Sequence, residues 1–402
     1  MISASEGKQK RRWVAFLLWG LLLVLLALSW GCYPRVPREE IKQVPEQRAE
    51  EVASRLDPAA QGLEDWSELR PGLERNLEHV RARMAENATS PEIMDMEVSW
   101  EELERTLQRL IALLPRLQEE GAPLLAEHFR IYRLRPDPLF TGYFEPQIRA
   151  SPTRRPGYET PIYGVPSDLK TADLGRFHPR WQGQELVYRI EGEGIEPYPS
   201  RRQIRNDPQF SDKAPVLAWV KHPLELFILQ IQGSGKLLLP GGEIRHLGYA
   251  GKNGRQYRSL GRVLRNMGYL ENSDTDLQSI EKFLASRPDL MPDILDVNPS
   301  YVFFRKREEG PFGAMNAQLE PLLSLAVDPE LIPLGAPLLY RVGLPEARSQ
   351  DRLEMSGLGL AQDVGGAVKG HHLDLFFGSG EEARYRASHM KDKGSLYILL
   401  AK

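Results

Sequence analysis

An α+β fold, mainly β, is what this 402-residue sequence predicts, and three observations predict it. Apolar residues recur at helical spacing through the first third of the chain. From about Arg149 the pattern changes to short runs divided by turn signals. The 31 prolines and 34 glycines supply the punctuation of a β-rich chain. Helix at the start, β in the middle and β at the end imply a chain with two β domains.

The N-terminus stands apart. Lys8, Lys10, Arg11 and Arg12 precede "WVAFLLWGLLLVLLALSW", an apolar run of 18 residues, and then Gly31-Cys32. A basic flank, an apolar core and a small residue before a break describe an export signal. The run is also long enough to span a bilayer if it is never cut. Cys32 is the sole cysteine, so no intramolecular disulfide can form. At the end of a signal it reads as a lipid-attachment point, although Ser29 and Trp30 depart from the usual bacterial lipoprotein pattern. The alternative is an uncut anchor in the inner membrane, and both place the body outside the cytoplasm. Tyr33 is not the aspartate that favours inner-membrane retention, which directs the lipidated form to the periplasmic face of the outer membrane.

Residues 33–58 are polar and charged, with Pro34, Pro37 and Pro45, and are expected to be a tether. Trp66, Leu69, Leu73, Leu77 and Val80 then mark a helix. Ser99 and Glu102 form a capping-box pattern before the stripe Trp100, Leu103, Leu107, Leu110, Ile111 and Leu114. Strands are expected in "ELVYRIEG", "APVLAWV" and "LELFILQIQGSGKLLLPGGEIRHLG", with Gln230 and Gln232 projecting from one sheet face toward a hairpin turn. Ser259 opens a short helix and residues 275–287 suggest another. "APLLYRVGL", "LGLAQDV", "HLDLFF" and "GSLYILLAK" complete a final β-rich region.

Charge and motifs exclude several functions. Residues 1–32 hold four basic side chains and one acidic, so the remainder has 48 basic and 54 acidic groups and a net charge of −6. Nothing there argues for nucleic acid as a partner. "GSGK" at Gly233–Lys236 is not a phosphate loop, because Gln230 replaces the upstream glycine and a strand follows. His371, His372, Asp374 and His389 make a poor metal set, since adjacent histidines on a strand face opposite ways. No metal and no cofactor is expected.

A carboxylate remains. If "HHLDLFF" is a strand, His372, Asp374 and Phe376 share one face while Leu373, Leu375 and Phe377 pack a core. Desolvation beside an aromatic ring raises an aspartic acid's pKa, whereas a helix starting near Gly380 would oppose the rise. The sequence leaves that balance open, and a turn-capping role for Asp374 stands beside the acid–base one.

Six motifs then carry a resemblance. "FTGYFEP" (140–146), "ILQIQGSG" (228–235), "GYAGKNGRQYRSLGRVL" (248–264), "NPSYVFFR" (298–305), "VDPELIPLG" (327–335) and "DVGGAVKGHHLDLFFG" (363–378) together resemble the membrane-bound lytic murein transglycosylase A family over about residues 130 to 400. The resemblance implies a double-psi β-barrel domain with N-terminal helices, an inserted second β-barrel domain and a groove between them. On that division residues 59–145 plus 309–402 form the catalytic domain and 146–308 the insert, behind a leader at 1–32. Asp374 matches the family's catalytic acid/base, and Asp328 and Asp363 match positions that hold the site in shape. Thr141, Tyr143, Gln230, Gln232, Gly233, Ser234 and Lys369 fall in groove-lining motifs and are carried over as sugar contacts.

The implied activity is cleavage of the β-1,4 bond between N-acetylmuramic acid and N-acetylglucosamine in peptidoglycan, leaving 1,6-anhydromuramic ends. The implied partners are glycan strands, with the membrane at the N-terminus and wall-synthesis proteins as possible company. Two other functions compete. An inverting hydrolase would pair Asp374 with Glu145 or Asp363. A wall-binding lipoprotein would keep the groove without the chemistry.

Overall fold

The computed structural model describes residues 40–271, 277–346 and 351–402. The described chain opens in a sheet, with Glu40–Gln43 paired antiparallel to Phe129–Arg135. Helix Glu46–Ala53 follows, and Val44, Ala49, Ala53 and Leu56 are buried in the main core. The expected tether over 33–58 is therefore corrected from Glu40 onward. Its charged residues are the outer face of a short helix whose inner face is mostly alanine, a stripe too small to stand out. Residues 33–39, the leader and Cys32 lie outside the described residues.

Two longer helices, Arg70–Ala85 and Trp100–Glu120, pack on each other. The predicted stripes face inward: Trp66, Leu69, Leu73, Leu77 and Val80 are buried, as are Trp100, Leu103, Leu107, Leu110 and Leu114, with Ile111 half-buried. Each fully buried leucine contributes about 1.5–3 kcal/mol of hydrophobic stabilisation. Ser99 Oγ accepts from the Glu102 amide at 3.1 Å, so the forward half of the cap forms. The Glu102 carboxylate turns instead to Arg130, at 2.5 Å. Between these helices and the sheet, Gln61 acts as a piece of strand: its amide donates to the Leu322 and Leu358 carbonyls and accepts from the Leu358 amide.

The main sheet has nine strands in the order Glu40–Gln43, Phe129–Arg135, Ser395–Ala401, Pro337–Pro345, Arg352–Asp363, Ser324–Ala326, His372–Ser379, Leu139–Glu145 and Lys391–Lys393. Most pairs are antiparallel. Two are parallel: Ser324–Ala326 with Arg352–Asp363, and His372–Ser379 with Leu139–Glu145. Helix Glu381–His389 lies against the latter pair so closely that a Cβ on Gly142 would stand 2.7 Å from the Ala387 Cα and 2.5 Å from the Phe377 ring. Only glycine fits there.

A second sheet of six strands is built from residues between Gln147 and Arg307 and has its own core around Ile148, Ile162, Leu237 and Phe303. A three-stranded sheet, Lys170–Asp173, Glu185–Glu191 and Gly194–Pro197, accompanies it. Ser259 caps helix Leu260–Asn266 as expected, and helix Leu277–Ser286 falls within the expected 275–287. One expectation fails. "PLELFILQIQ" is a helix, Pro223–Gln232, closed by Gly233, and the strand Ser234–Leu238 begins only after it. Pro223 at the first turn and Glu225 reaching back to the His222 amide set its start. Leu226, Phe227, Ile228 and Leu229 are all buried. A helix apolar on nearly every side shows no amphipathic period, which is why it resembles a strand in sequence.

Candidate active site

The strand His372–Ser379 alternates as its sequence requires. Leu373, Leu375 and Phe377 enter the main core, while Phe376 joins a small cluster with Tyr143, Leu319, Ala326 and Val368. Asp374 lies on the Phe376 face, half-buried. Its parallel neighbour is Thr141, and its antiparallel neighbour on the other side is Ala326. Ala326 is in turn the partner of Asp363. Asp363 and Asp374 thus flank one alanine on the same side of the sheet.

The Thr141 hydroxyl lies 2.9 Å from Asp374 Oδ1 and 2.7 Å from His372 Nε2. Burial is the largest influence on Asp374 and pushes its pKa up to about 7, and the Asp363 charge adds to the rise against the Thr141 hydrogen bond. Burial therefore outweighs the Thr141 hydrogen bond at the carboxylate. Asp363 is pushed up to about 6, again by burial, although its Oδ1 accepts from the Val364 and Ala314 amides at 2.8 and 2.9 Å. Two neighbouring carboxyls with raised pKa values are a mark of proton chemistry.

Tyr143 lies near both. Its ring packs against Phe376 with centroids 5.1 Å apart. Its buried hydroxyl finds no partner in good hydrogen-bond geometry. Burial first, then the charges of Asp363 and Asp374, hold that hydroxyl firmly protonated. Asp328, only 5% exposed, accepts from Lys369 Nζ at 3.1 Å and the Gly370 amide at 2.8 Å. Burial alone would raise its pKa, but Gly370 and Lys369 outweigh it and keep the pKa below the usual value. That carboxylate fixes the loop 364–371 between the strands carrying Asp363 and Asp374, with Gly370 at φ +62° where the chain turns.

The groove-lining glutamines are placed differently from expectation. Both belong to helix Pro223–Gln232, not to a sheet face. Gln230 is 6% exposed and donates to the Val302 carbonyl at 3.1 Å, which makes it part of the second core. Gln232 accepts from the Phe144 amide at 2.9 Å and so fastens that helix to the strand bearing Thr141 and Tyr143. Gly233 closes the helix and Ser234, 7% exposed, opens the next strand. Lys369 is tied to Asp328 but keeps a side chain 63% exposed.

Sequence reasoning placed His372 on the Asp374 face but weighed it only as a metal ligand, and it missed the contact with Thr141. The signal was available: two residues before a strand carboxylate is the nearest position on the same face. Lys236 was also passed over. Its ammonium is 3.0 Å from Glu145, whose side chain is 1% exposed at the end of the Thr141 strand.

Comparison with known proteins follows the same geometry. The MltA specific insert domain matches residues 139–305, and the 3D domain matches residues 323–400. The membrane-bound lytic murein transglycosylase A of Escherichia coli (strain K12) is 33% identical over 265 residues, covering 65% of this chain and 65% of that protein. Its counterpart from Vibrio cholerae is 31% identical over 267 residues, again with 65% of each. The chain thus spans about 65% of the length of the curated relatives it matches. Among solved structures, a membrane-bound lytic murein transglycosylase from Agrobacterium tumefaciens superposes with a TM-score of 0.72 at 27% identity, over 90% of this chain and 98% of that one. MltA from Neisseria gonorrhoeae gives 0.66 at 28%, over 90% and 93%. E. coli MltA with bound chitohexaose gives 0.59 at 25%, over 82% and 89%.

Proposed function

This chain belongs to the membrane-bound lytic murein transglycosylase A family, and we propose that it is a lytic transglycosylase acting on peptidoglycan with Asp374 as its single acid and base. The observation that carries the reading is a half-buried aspartic acid with a pKa near neutrality, hydrogen-bonded to Thr141 and next to an Asp363 whose Oδ1 is taken by two backbone amides. Protonated Asp374 gives its proton to the glycosidic oxygen as the bond from that oxygen to C1 of the muramic ring breaks. The C6 hydroxyl of the same ring attacks C1 and returns its proton to Asp374. A 1,6-anhydro ring forms, no water is consumed and the acid is restored. Because the nucleophile is tethered, no water need be held in place for it.

The inverting alternative has one observation in its favour. Asp363 and Asp374 are two strand spacings apart, roughly 9.5 Å between backbones, near the separation of an acid and a water-activating base. Against it, Asp363 Oδ1 is engaged by two amides. Glu145 lies four residues along the strand from Thr141, about 13 Å away, in its pair with Lys236.

Glycan strands are the proposed partner, supported by the chitohexaose bound to the E. coli relative. Thr141, Tyr143, Gln232, Ser234 and Lys369 are proposed to shape the groove; Gln230 and Gly233 act through the fold of the helix they belong to. The division into a catalytic domain at 59–145 plus 309–402 and an insert at 146–308 is supported by the separate cores of the two sheets, with residues 40–58 added to the first. The relatives' names describe them as membrane-bound, and we assign the same association to this chain, through Cys32 at the outer membrane. An uncut inner-membrane anchor is the alternative. Digestion of purified murein in ¹⁸O-labelled water tests the chemistry: unlabelled anhydro ends support it, and labelled reducing ends overturn it.

A further inference from the structure

Thr141 stands between His372 and Asp374 in a chain of donors and acceptors. The Ala367 carbonyl can only accept, and it lies 3.1 Å from His372 Nδ1, so that nitrogen carries a proton. In a neutral ring Nε2 is then a bare acceptor. The Thr141 hydroxyl has one proton and three groups in reach, Nε2 at 2.7 Å, Asp374 Oδ1 at 2.9 Å and the Leu373 carbonyl at 3.4 Å, and Nε2 is the nearest. Thr141 can donate to Asp374 Oδ1, 2.9 Å away, when that group is a carboxylate, but with its proton on Nε2 it accepts there instead. In that arrangement the last hydrogen in the chain belongs to Asp374.

We propose that His372, acting through Thr141, is a positioning residue that orients a hydrogen-bond chain so that Asp374 is held as the neutral acid in the resting site. This rests on the reading of Asp374 as the general acid. When Asp374 has given its proton to the leaving oxygen, its carboxylate needs a donor. The Thr141 hydroxyl rotates from Nε2 to Oδ1 and supplies one. When the C6 hydroxyl proton arrives on Asp374, Thr141 swings back. One proton leaves Asp374 and one returns, and His372 stays neutral throughout.

The opposite arrangement has the same proton count: an imidazolium donating to Thr141, which donates to a carboxylate. Burial disfavours it, since the His372 pKa is held below the ordinary value chiefly by desolvation. The other titratable groups facing Asp374 are Asp363, beyond Ala326, and the Tyr143 hydroxyl on the neighbouring strand. Asp328 and Lys369 in the adjoining loop neutralise one another. On helix Glu381–His389, Arg384 is paired with Glu281 and Arg386 with Glu382.

The test is a carboxyl titration of the full chain, labelled with ¹³C-aspartate and assigned by comparison with Asp374→Asn. His372→Phe frees the Thr141 proton for the carboxylate, so the Asp374 midpoint should fall, by about one pH unit. His372→Gln restores an acceptor and should return the midpoint toward the wild-type value. Thr141→Val removes the donor to the carboxylate and should move the midpoint upward. Shifts of one sign in His372→Phe and Thr141→Val, or no shift in either, overturn the proposal. If those variants do not fold, ¹⁵N spectra of the wild-type His372 ring decide it: a neutral ring protonated on Nδ1 supports the chain, and an Nε2-protonated ring or an imidazolium at neutral pH refutes it. None of these measurements uses turnover, so labelled reducing ends from murein would refute the transglycosylase reading without altering this result.

Discussion

Glu145 and Lys236 are joined at 3.0 Å across the two sheets, the carboxylate at the end of the Thr141 strand and the ammonium on Ser234–Leu238. The Glu145 side chain is 1% exposed, and His246 Nδ1 is 3.7 Å from its other oxygen. Lys236→Met strands a buried carboxylate and should cost about 3 kcal/mol, at the low end for a broken buried pair because Lys236 is partly solvated. Lys236→Met combined with Glu145→Gln should recover much of that loss in urea unfolding. Strictly additive losses would show that the pair does not couple the sheets.

Asp374→Asn should fold and lose wall-lytic activity by about 10²–10⁴, since the amide keeps the shape without the proton. Its stability should carry a second signature. With a native pKa of about 7 against roughly 3.9 unfolded, Asp374 binds its proton more tightly in the native state. Native stability therefore falls as pH rises from about 4 to about 7 and stays lowered above that. Asp374→Asn should melt higher than the wild type above about pH 7, and the gain should vanish near about pH 4. A gain independent of pH would contradict the raised pKa.

Asp363 separates charge from architecture. Asp363→Ala removes the acceptor for the Val364 and Ala314 amides and should destabilise by about 1–3 kcal/mol. Asp363→Asn keeps an acceptor there and removes the charge that helps to raise Asp374. Its rate profile should lose its alkaline side at lower pH than the wild type. An unmoved profile would show that Asp363 has no electrostatic influence on the acid.

Asp328 and Lys369 should part company. Asp328→Ala frees the loop 364–371, so its amides should exchange hydrogen faster and the protein should lose about 1–3 kcal/mol. Lys369→Ala breaks a pair whose lysine is 63% exposed and should change stability by no more than about 1 kcal/mol. If Lys369 meets the glycan, KM rises in that variant with Tm preserved. An unchanged KM removes it from the groove.

Cys32→Ser tests the leader. Acyl labelling and outer-membrane fractionation of the wild type should both be lost in the variant. An unlabelled protein that remains in the membrane would identify the apolar run as an uncut anchor.

Legibility in the sequence followed the reach of each interaction. The alternation of His372–Ser379, the stripe of Trp100–Glu120 and the Ser99 cap are set by neighbours within a few residues, so their patterns are printed locally. Helix Pro223–Gln232 was misread because burial on nearly all sides erases its period. Gln61 looks like an ordinary polar residue, and its role in bridging Leu322 and Leu358 exists only once distant strands meet. The site divides the same way. Asp374 was visible as a lone carboxylate in an apolar strand. The Thr141 hydroxyl that links it to His372 comes from another strand far earlier in the chain.

The last strand, Ser395–Ala401, does not lie at an edge. It runs between Phe129–Arg135 and Pro337–Pro345, and the Ala401 amide donates to Thr106 in helix Trp100–Glu120. During synthesis Phe129–Arg135 must therefore wait for almost the whole chain before its neighbour on that side exists. A nascent or truncated polypeptide would display two open strand edges and an uncovered helix, the surfaces that proteases and chaperones seize. Closure of this sheet therefore waits on residues made about 260 positions after Phe129–Arg135, so the order of synthesis and the order of strands run against each other.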